Sequence, residues 1–202
     1  DRLKALDLLY PCFCSRSDIR HLQEEGLQPE GPDGPIYAGT CRHLDPALAR
    51  ERARTEPHSW RLDVAKAIAR TGPLDWYDER HGEQIIHAEK LGDVVIVPKD
   101  TPVAYHLAVT LDDARDGISH VVRGDDLFAS TDIHRLLQAL LDLPTPIYFH
   151  HPLLLDESGA KLSKSRDSAS LSVLRTAGRS GYELLQELRA ANFPVGISLS
   201  AA

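Results

Sequence analysis

The stretch Ile147-Tyr148-Phe149-His150-His151-Pro152-Leu153-Leu154-Leu155-Asp156-Glu157-Ser158-Gly159-Ala160-Lys161-Leu162-Ser163-Lys164-Ser165 decides the fold. Residues 147–150 and 153–155 read as a buried strand region, and Asp156-Glu157-Ser158-Gly159 reads as a turn. Two lysines flanking Ser163 then follow. Ammonium groups are mobile point charges suited to phosphate, and serine hydroxyls and loop amides add donors. By composition alone a solvated Lys/Ser loop is the simpler reading. The order of strand, turn and Lys-x-Ser-Lys-Ser favours a phosphate loop.

Outward from this stretch, Ser130 or Thr131 caps a helix that runs to Leu141, with Ile133, Leu136, Leu137, Leu140 and Leu141 at helical spacing, and Pro144 and Pro146 end it. Residues 119–123, the alternating run 104–111 and the apolar run 93–98 read as strands. Strand, helix, strand and loop make a parallel α/β unit, in which ligands sit outside the carboxyl ends of the strands. Arg123 and the 159–165 loop both fall at such ends. Two short helical patterns, 168–176 and 180–190, close the chain. Towards the start, residues 3–9 read as a helix broken by Pro11, and Ser17 caps a short helix to Glu25. Residues 26–36, rich in Gly and Pro, read as a surface loop. Asp45 caps a helix over 45–55 with Pro46 in its first turn, and Trp60 to Val64 reads as a short strand.

The chain has 202 residues, 42% hydrophobic and 26% charged, with a formal net charge of −7. That is the composition of a globular protein able to bury a core without disulfides. It is not the basic composition of a general nucleic-acid binder. No run of 18 apolar residues exists, so no membrane span is expected. The opening Asp1-Arg2-Leu3-Lys4 leads into no signal-peptide h-region, and the absence of any Met is read as a sign that residues upstream are missing. The three Cys fall within residues 12–41. An odd, clustered set fits a metal site better than a disulfide framework and points to a reducing, cytoplasmic compartment.

Three constellations carry chemistry. Cys12-x-Cys14 and Tyr37-x3-Cys41 bring thiolates suited to Zn²⁺, which takes four N, S or O ligands in a tetrahedron. The residues alone put His43 or His21 as the fourth ligand, and three buried free thiols are the plain alternative. Arg123, directly after an apolar strand, needs an anion, either a ligand carboxylate held bidentately or Asp125 or Asp126. Tyr105 offers a hydroxyl to a bound amino acid, or is a core tyrosine. His150-His151 reads as structural, and Asp112-Asp113, which could bind Mg²⁺, reads rather as a solvated strand end.

Lys161-Leu162-Ser163-Lys164-Ser165 resembles the KMSKS signature of class I aminoacyl-tRNA synthetases, with Leu162 in place of Met, and Pro152-Leu153-Leu154-Leu155 looks like the strand leading into it. The resemblance implies that Lys161, Ser163, Lys164 and Ser165 bind ATP, with Lys164 the catalytic contact to its phosphates and Mg²⁺ accompanying the nucleotide. Ala104-Tyr105-His106-Leu107-Ala108-Val109 and Val121-Val122-Arg123-Gly124-Asp125-Asp126-Leu127 resemble the signatures of the glutamyl-tRNA synthetase group, in which the matching Tyr and Arg hold glutamate. Tyr10-Pro11-Cys12-Phe13-Cys14-Ser15-Arg16 and Tyr37-x-Gly39-Thr40-Cys41-Arg42 are similar to the zinc insertion of the glutamyl-queuosine tRNA(Asp) synthetases. That resemblance makes Tyr37 the fourth ligand beside Cys12, Cys14 and Cys41, with His43 the alternative.

The fold implied is α/β: the C-terminal half of a Rossmann-like class I catalytic domain, with a zinc-containing insertion and a short helical tail. The division implied is an acceptor-binding-like insertion over 1–98, the second half of the nucleotide-binding domain over 99–165, and a helical region over 166–202. The activity implied is ATP-dependent activation of glutamate and its transfer to queuosine in the anticodon of tRNA(Asp). Zinc is the resident metal, a monomer is the default, and no membrane is involved. Only 37 residues (166–202) follow Ser165, which leaves no room for the anticodon-binding domain of an ordinary glutamyl-tRNA synthetase. None of the ten His stands in the H-x-G-[HN] setting of the family's first nucleotide motif. The chain is therefore expected to be incomplete as a catalyst. A truncated ordinary glutamyl-tRNA synthetase and a non-catalytic zinc-stabilised tRNA-binding module are the competing readings.

Overall fold

A computed structural model describes residues 1–26, 28–32, 34–163, 170–193 and 196–200. The chain divides into two compact units: Asp1–Val122 with Leu127–His150, and Arg123–Asp126 with His151–Ala202.

The first unit opens on α1 (Arg2–Ala5) and β1 (Leu9–Cys12). The expected helix over residues 3–9 stops at Ala5, because the chain reverses at Asp7 in a left-handed conformation (φ 53°). Leu3 and Leu8 thereby both enter the core. Pro11 lies within β1 rather than ending a helix. The strand is at the edge of a three-stranded sheet of order β1-β4-β7, where a missing N–H is tolerated. Helix α2 (Arg16–Glu24) is capped by Ser15, not Ser17: Ser15 Oγ accepts from Asp18 N–H at 3.1 Å, and Asp18 Oδ2 accepts from Ser15 N–H at 2.6 Å. The reciprocal pair makes Ser15 the stronger cap. The Gly/Pro segment contains a minimal hairpin of β2 (Glu30–Gly31) and β3 (Gly34–Pro35). Helix α3 (Pro46–Thr55) starts as expected, with Asp45 accepting from Ala47 N–H and Leu48 N–H.

β4 (Ser59–Leu62) pairs antiparallel with β1 and with β7 (Val95–Val97). Between β4 and β7 lie α4 (Val64–Thr71) and a hairpin of β5 (Asp75–Asp78) and β6 (Gly82–Ile85). Helix α5 (Tyr105–Arg115) overturns the strand expected over 104–111. Eight residues of apolar alternation also satisfy the i, i+3, i+4 spacing of a helix, and Leu107, Ala108 and Leu111 are good helix formers. Tyr105 therefore stands on the first turn of a helix, not on a strand.

β8 (His120–Gly124), α6 (Ser130–Leu141) and β9 (Ile147–His151) match the expected strand, helix and strand. The four-stranded sheet has the order β6-β5-β9-β8, with β5 and β9 parallel, so the α/β reading holds. Ser130 and Thr131 do not cap α6. Both are buried in its first turn, and Thr131 Oγ1 donates to Leu127 O at 3.3 Å. Ile133, Leu136, Leu137 and Leu140 face the core with Leu62, Ile96, Trp76 and Tyr148. Each such side chain contributes about 1.5–3 kcal/mol by leaving water.

In the second unit β10 (Leu154–Leu155) pairs antiparallel with β11 (Ser198–Leu199). The strand is two residues long and half-buried, shorter and more open than the buried strand expected over 153–155. The turn at 156–159 is present: Asp156 Oδ1 accepts from Ser158 N–H and Ala160 N–H, and Gly159 adopts φ +78°. The tail forms α7 (Leu171–Thr176) and α8 (Gly181–Arg189), capped by Ser170 and Ser180. Among the described residues no helix is long and apolar enough to cross a membrane.

Candidate functional site

The end of β1 delivers Cys12, and Cys14 follows two residues on. Tyr37 comes from the segment after β3, and Cys41 from the turn before α3. Their sulfurs lie within 4.8 Å of one another. The Cys14 and Cys41 sulfurs are 3.6 Å apart, within thiol hydrogen-bond reach, and form no disulfide. Ligands about 2.3 Å from a tetrahedral zinc stand roughly 3.8 Å from each other, so the spacing fits a metal shell. The Tyr37 hydroxyl oxygen is 3.3 Å from Cys12 Sγ and 3.4 Å from Cys14 Sγ, and it accepts the Cys41 N–H at 3.0 Å. Neither His21 nor His43 joins the group. Three sulfurs and one oxygen therefore converge, and this donor set suits Zn²⁺.

The surroundings hold the cluster in shape. Phe13 N–H donates to Cys41 Sγ at 3.4 Å, and Lys99 Nζ donates to the Phe13 and Cys14 carbonyls at 2.9 and 3.1 Å. The Arg52 guanidinium lies 4.1 Å over the Phe13 ring and so ties α3 to the loop between Cys12 and Cys14. Burial pushes the Cys14 thiol up to about 11, reinforced by the neighbouring Cys12 and Cys41. At Cys12 burial acts upward too, but the Tyr37 hydroxyl and the Arg61 guanidinium outweigh it and the thiol moves down. Burial first, then the three sulfurs, raise the Tyr37 hydroxyl.

Behind the cluster is a polar knot that the sequence did not announce. Asp93 is buried, and its Oδ2 accepts from Tyr10 Oη at 2.6 Å and Arg42 Nη1 at 3.1 Å. Its Oδ1 accepts from Val64 N–H at 3.1 Å. Tyr10 precedes Cys12 and Arg42 follows Cys41, so one carboxylate anchors both arms of the cysteine loop. Burial, then the Asp93 contact, raises the Tyr10 hydroxyl. The Arg61 Nη1 donates to the Asp93 carbonyl at 2.6 Å, and its guanidinium lies 3.9 Å over the Tyr37 ring.

A second knot joins Asp78 at the end of β5 to His150 on β9. Both side chains are fully buried, with His150 Nδ1 2.7 Å from Asp78 Oδ2. Asp78 also accepts from the backbone N–H groups of Arg80, His81 and His150. Burial acts to raise its carboxyl pKa, but the His150 imidazole and the amides outweigh it and the net shift is down. His150 is structural, as read from the sequence.

The remaining site residues are described unit by unit. Tyr105, in the first unit, is 52% exposed, with its ring 6.0 Å from that of His134. Arg123, in the second unit, is half-buried on the last residues of β8. Gly124 after it has no room for a side chain: a Cβ would stand 2.6 Å from Asp126 Oδ1 and 2.9 Å from Leu153 Cδ2. Lys161 bridges back to Leu155, and its ammonium lies 2.7 Å from Asp126 Oδ2. Ser163 follows it, while Lys164 and Ser165 lie outside the described residues. Asp112 pairs with Arg115 on an exposed helix face, in keeping with a solvated position.

The strand–helix–strand unit leading to a Lys/Ser loop, with a cysteine-bearing segment ahead of it, defines a class I synthetase catalytic domain. The chain belongs to the family of class I tRNA synthetases (E and Q), catalytic domain, which it matches over residues 5–195. It is 40% identical to the Glutamyl-Q tRNA(Asp) synthetase of Rhodobacter capsulatus, over 91% of this chain and 68% of that protein. It is 38% identical to the Glutamyl-Q tRNA(Asp) synthetase of Nocardia farcinica, over 91% of this chain and 56% of that one. It is 36% identical to the Glutamate--tRNA ligase 2 of Alkalilimnicola ehrlichii, over 87% of this chain and 36% of that one. The chain thus spans from about a third to two thirds of these relatives' lengths. The fold is similar to that of the glutamate-tRNA synthetase of Elizabethkingia anophelis, with TM-score 0.63 and 22% identity, covering 81% of this chain and 34% of that one.

Proposed function

We propose that this chain is part of an enzyme that activates glutamate with ATP and transfers it to queuosine in the anticodon of tRNA(Asp). The observation that carries the reading is the 40% identity to a Glutamyl-Q tRNA(Asp) synthetase over 91% of the chain. The gathering of Cys12, Cys14, Cys41 and Tyr37 supports it. In the first step a glutamate carboxylate oxygen attacks the α-phosphorus of ATP, and pyrophosphate leaves. In the second a hydroxyl of the queuosine base attacks the glutamyl carbonyl, and AMP leaves with the bonding pair. Tyr105 and Arg123 hold glutamate. Lys161, Ser163, Lys164 and Ser165 bind ATP in this reading, with Lys164 the catalytic contact to its phosphates, since cations and donors lower the energy of the charged transition state. Mg²⁺ accompanies the nucleotide.

Zinc held by Cys12, Cys14, Cys41 and Tyr37 is structural in this reading. All four positions are filled by protein, which leaves none for substrate. The protein works as a cytoplasmic monomer. The test is transfer of labelled glutamate to tRNA(Asp) carrying or lacking queuosine, using the natural gene product; incorporation confined to the queuosine-bearing tRNA is expected.

The likeness to Glutamate--tRNA ligase 2 favours a second reading, an ordinary glutamyl-tRNA synthetase, in which tRNA(Glu) is charged instead. A third reading, a tRNA-binding module without catalysis, follows from the absence of an H-x-G-[HN] motif in residues 1–202. The same absence sets an expectation for residues 1–202 assayed alone: glutamate-dependent ATP–pyrophosphate exchange stays at background. Robust exchange would show that the nucleotide site is complete without that motif.

A further inference from the structure

Arg61 is 8% exposed, yet among the described residues no carboxylate lies within ion-pair distance of it. Asp93, the nearest acidic residue along its hydrogen bonds, offers Arg61 only its backbone carbonyl, because the Asp93 carboxylate is taken by Tyr10, Arg42 and Val64. The Arg61 Nε has no hydrogen-bond partner at all. Burying a guanidinium against one carbonyl, the Cys12 sulfur and an aromatic face is costly unless an anion stands nearby. The aromatic face is that of Tyr37, at 3.9 Å. A divalent metal on three thiolates carries a net charge of about −1, and two of the three cysteines, Cys12 and Cys41, are buried. Such a centre needs a counter-charge as much as Arg61 needs an anion.

We infer that Arg61 is the counter-cation of the metal centre: it balances the charge of the tris-thiolate site and fixes the Tyr37 ring so that its oxygen completes the shell. The inference rests on the zinc reading above and adds to it a residue outside the ligand set. Outer-shell partners that orient and charge-balance ligands are worth about 10–100-fold in metal affinity. A purely structural arginine behaves differently. Its loss weakens the metal-free and metal-loaded forms alike, whereas loss of a counter-cation weakens the loaded form and spares, or raises, the stability of the metal-free one.

The experiment compares wild type, Arg61→Met and Arg61→Lys for zinc affinity, by competition with a chromophoric chelator, and for melting temperature in zinc and in excess chelator. Arg61→Met is expected to bind zinc about 10–100-fold more weakly, with a smaller zinc-induced rise in melting temperature and an unchanged or higher melting point in chelator. Arg61→Lys keeps the charge and is expected to retain most of the affinity. Since it needs no uncharged side chain at the site, it also serves if the Met variant fails to fold. Equal zinc affinity in wild type and Arg61→Met overturns the inference, as does an equal loss of stability with and without metal. If Arg61→Met fails to fold, an Arg61→Lys variant that binds zinc about 10–100-fold more weakly although its charge is kept overturns it too. Wild type that binds no zinc removes the metal reading itself, an outcome distinct from zinc-binding wild type with indifferent variants.

Discussion

Cys12→Ser is expected to abolish stoichiometric zinc binding and to loosen residues 13–44 while the main core, β1 included, stays folded. The packing supports this separation. The cysteine segment forms its own small cluster, whose buried members are Cys12, Tyr37 and Cys41, apart from the larger cluster around Leu62, Ile96, Ile133 and Leu137. Helix α2 buries no residue. So little apolar area cannot offset the ordering entropy of a segment this long, roughly 1–2 kcal/mol per residue. A structural zinc contributes on the order of 10–16 kcal/mol in small metal-dependent domains, enough to close the gap. Hydrogen exchange reads the result locally. The amides of Cys41, held by the Tyr37 hydroxyl, and of Phe13, held by Cys41 Sγ, are the reporters. Their exchange is expected to quicken by about 100-fold or more, the factor that corresponds to roughly 3 kcal/mol, while Leu137 is unaffected. Uniform acceleration across the unit, or full zinc occupancy in the variant, would count against the separate-knuckle account.

Asp78→Ala is expected to destabilise the first unit by about 3–5 kcal/mol, the cost of removing a buried carboxylate and stranding its hydrogen-bond partners. Four donors lose their acceptor at once: His150 Nδ1 and the N–H groups of Arg80, His81 and His150. The site also joins β5 to β9, so the parallel pairing of the sheet depends on it. The Asp78 carboxyl has a lower pKa folded than unfolded. Its contribution is therefore complete above about pH 4, the unfolded value, and is lost as pH falls through the folded value. Asp78→Asn flattens that acid limb. Denaturant melts between pH 2 and 7 measure both effects. A wild-type-like midpoint for Asp78→Ala at pH 7 would show that the pair contributes little.

What the sequence revealed and what it hid follow from range. Helix α6 was legible because five apolar residues repeat at helical spacing, and Asp45 was legible as a cap because Pro46 stands beside it. The Cys12/Cys14 and Tyr37/Cys41 pairs are local signals, and the fold brings the two pairs together. The choice of Tyr37 over a histidine came from family likeness, not from residue chemistry, which favours imidazole. Helix α5 reads as a strand in sequence because a short apolar run fits both periods. Asp78 and His150 stand 72 positions apart, and Arg61 and the Asp93 carbonyl 32 apart. Nothing local in either case marks the residues as partners. Ser15 and Ser17 offer the same hydroxyl two positions apart in sequence; the reciprocal bond with Asp18 makes Ser15 the cap and leaves Ser17 in the first turn.

The central claim is the acceptor, and one measurement reaches it directly. Labelled glutamate and ATP are supplied with the natural gene product to three purified tRNAs: tRNA(Asp) with queuosine, tRNA(Asp) without it, and tRNA(Glu). Label in the first alone is the predicted result. Label in tRNA(Glu), or equal label in both forms of tRNA(Asp), would contradict it.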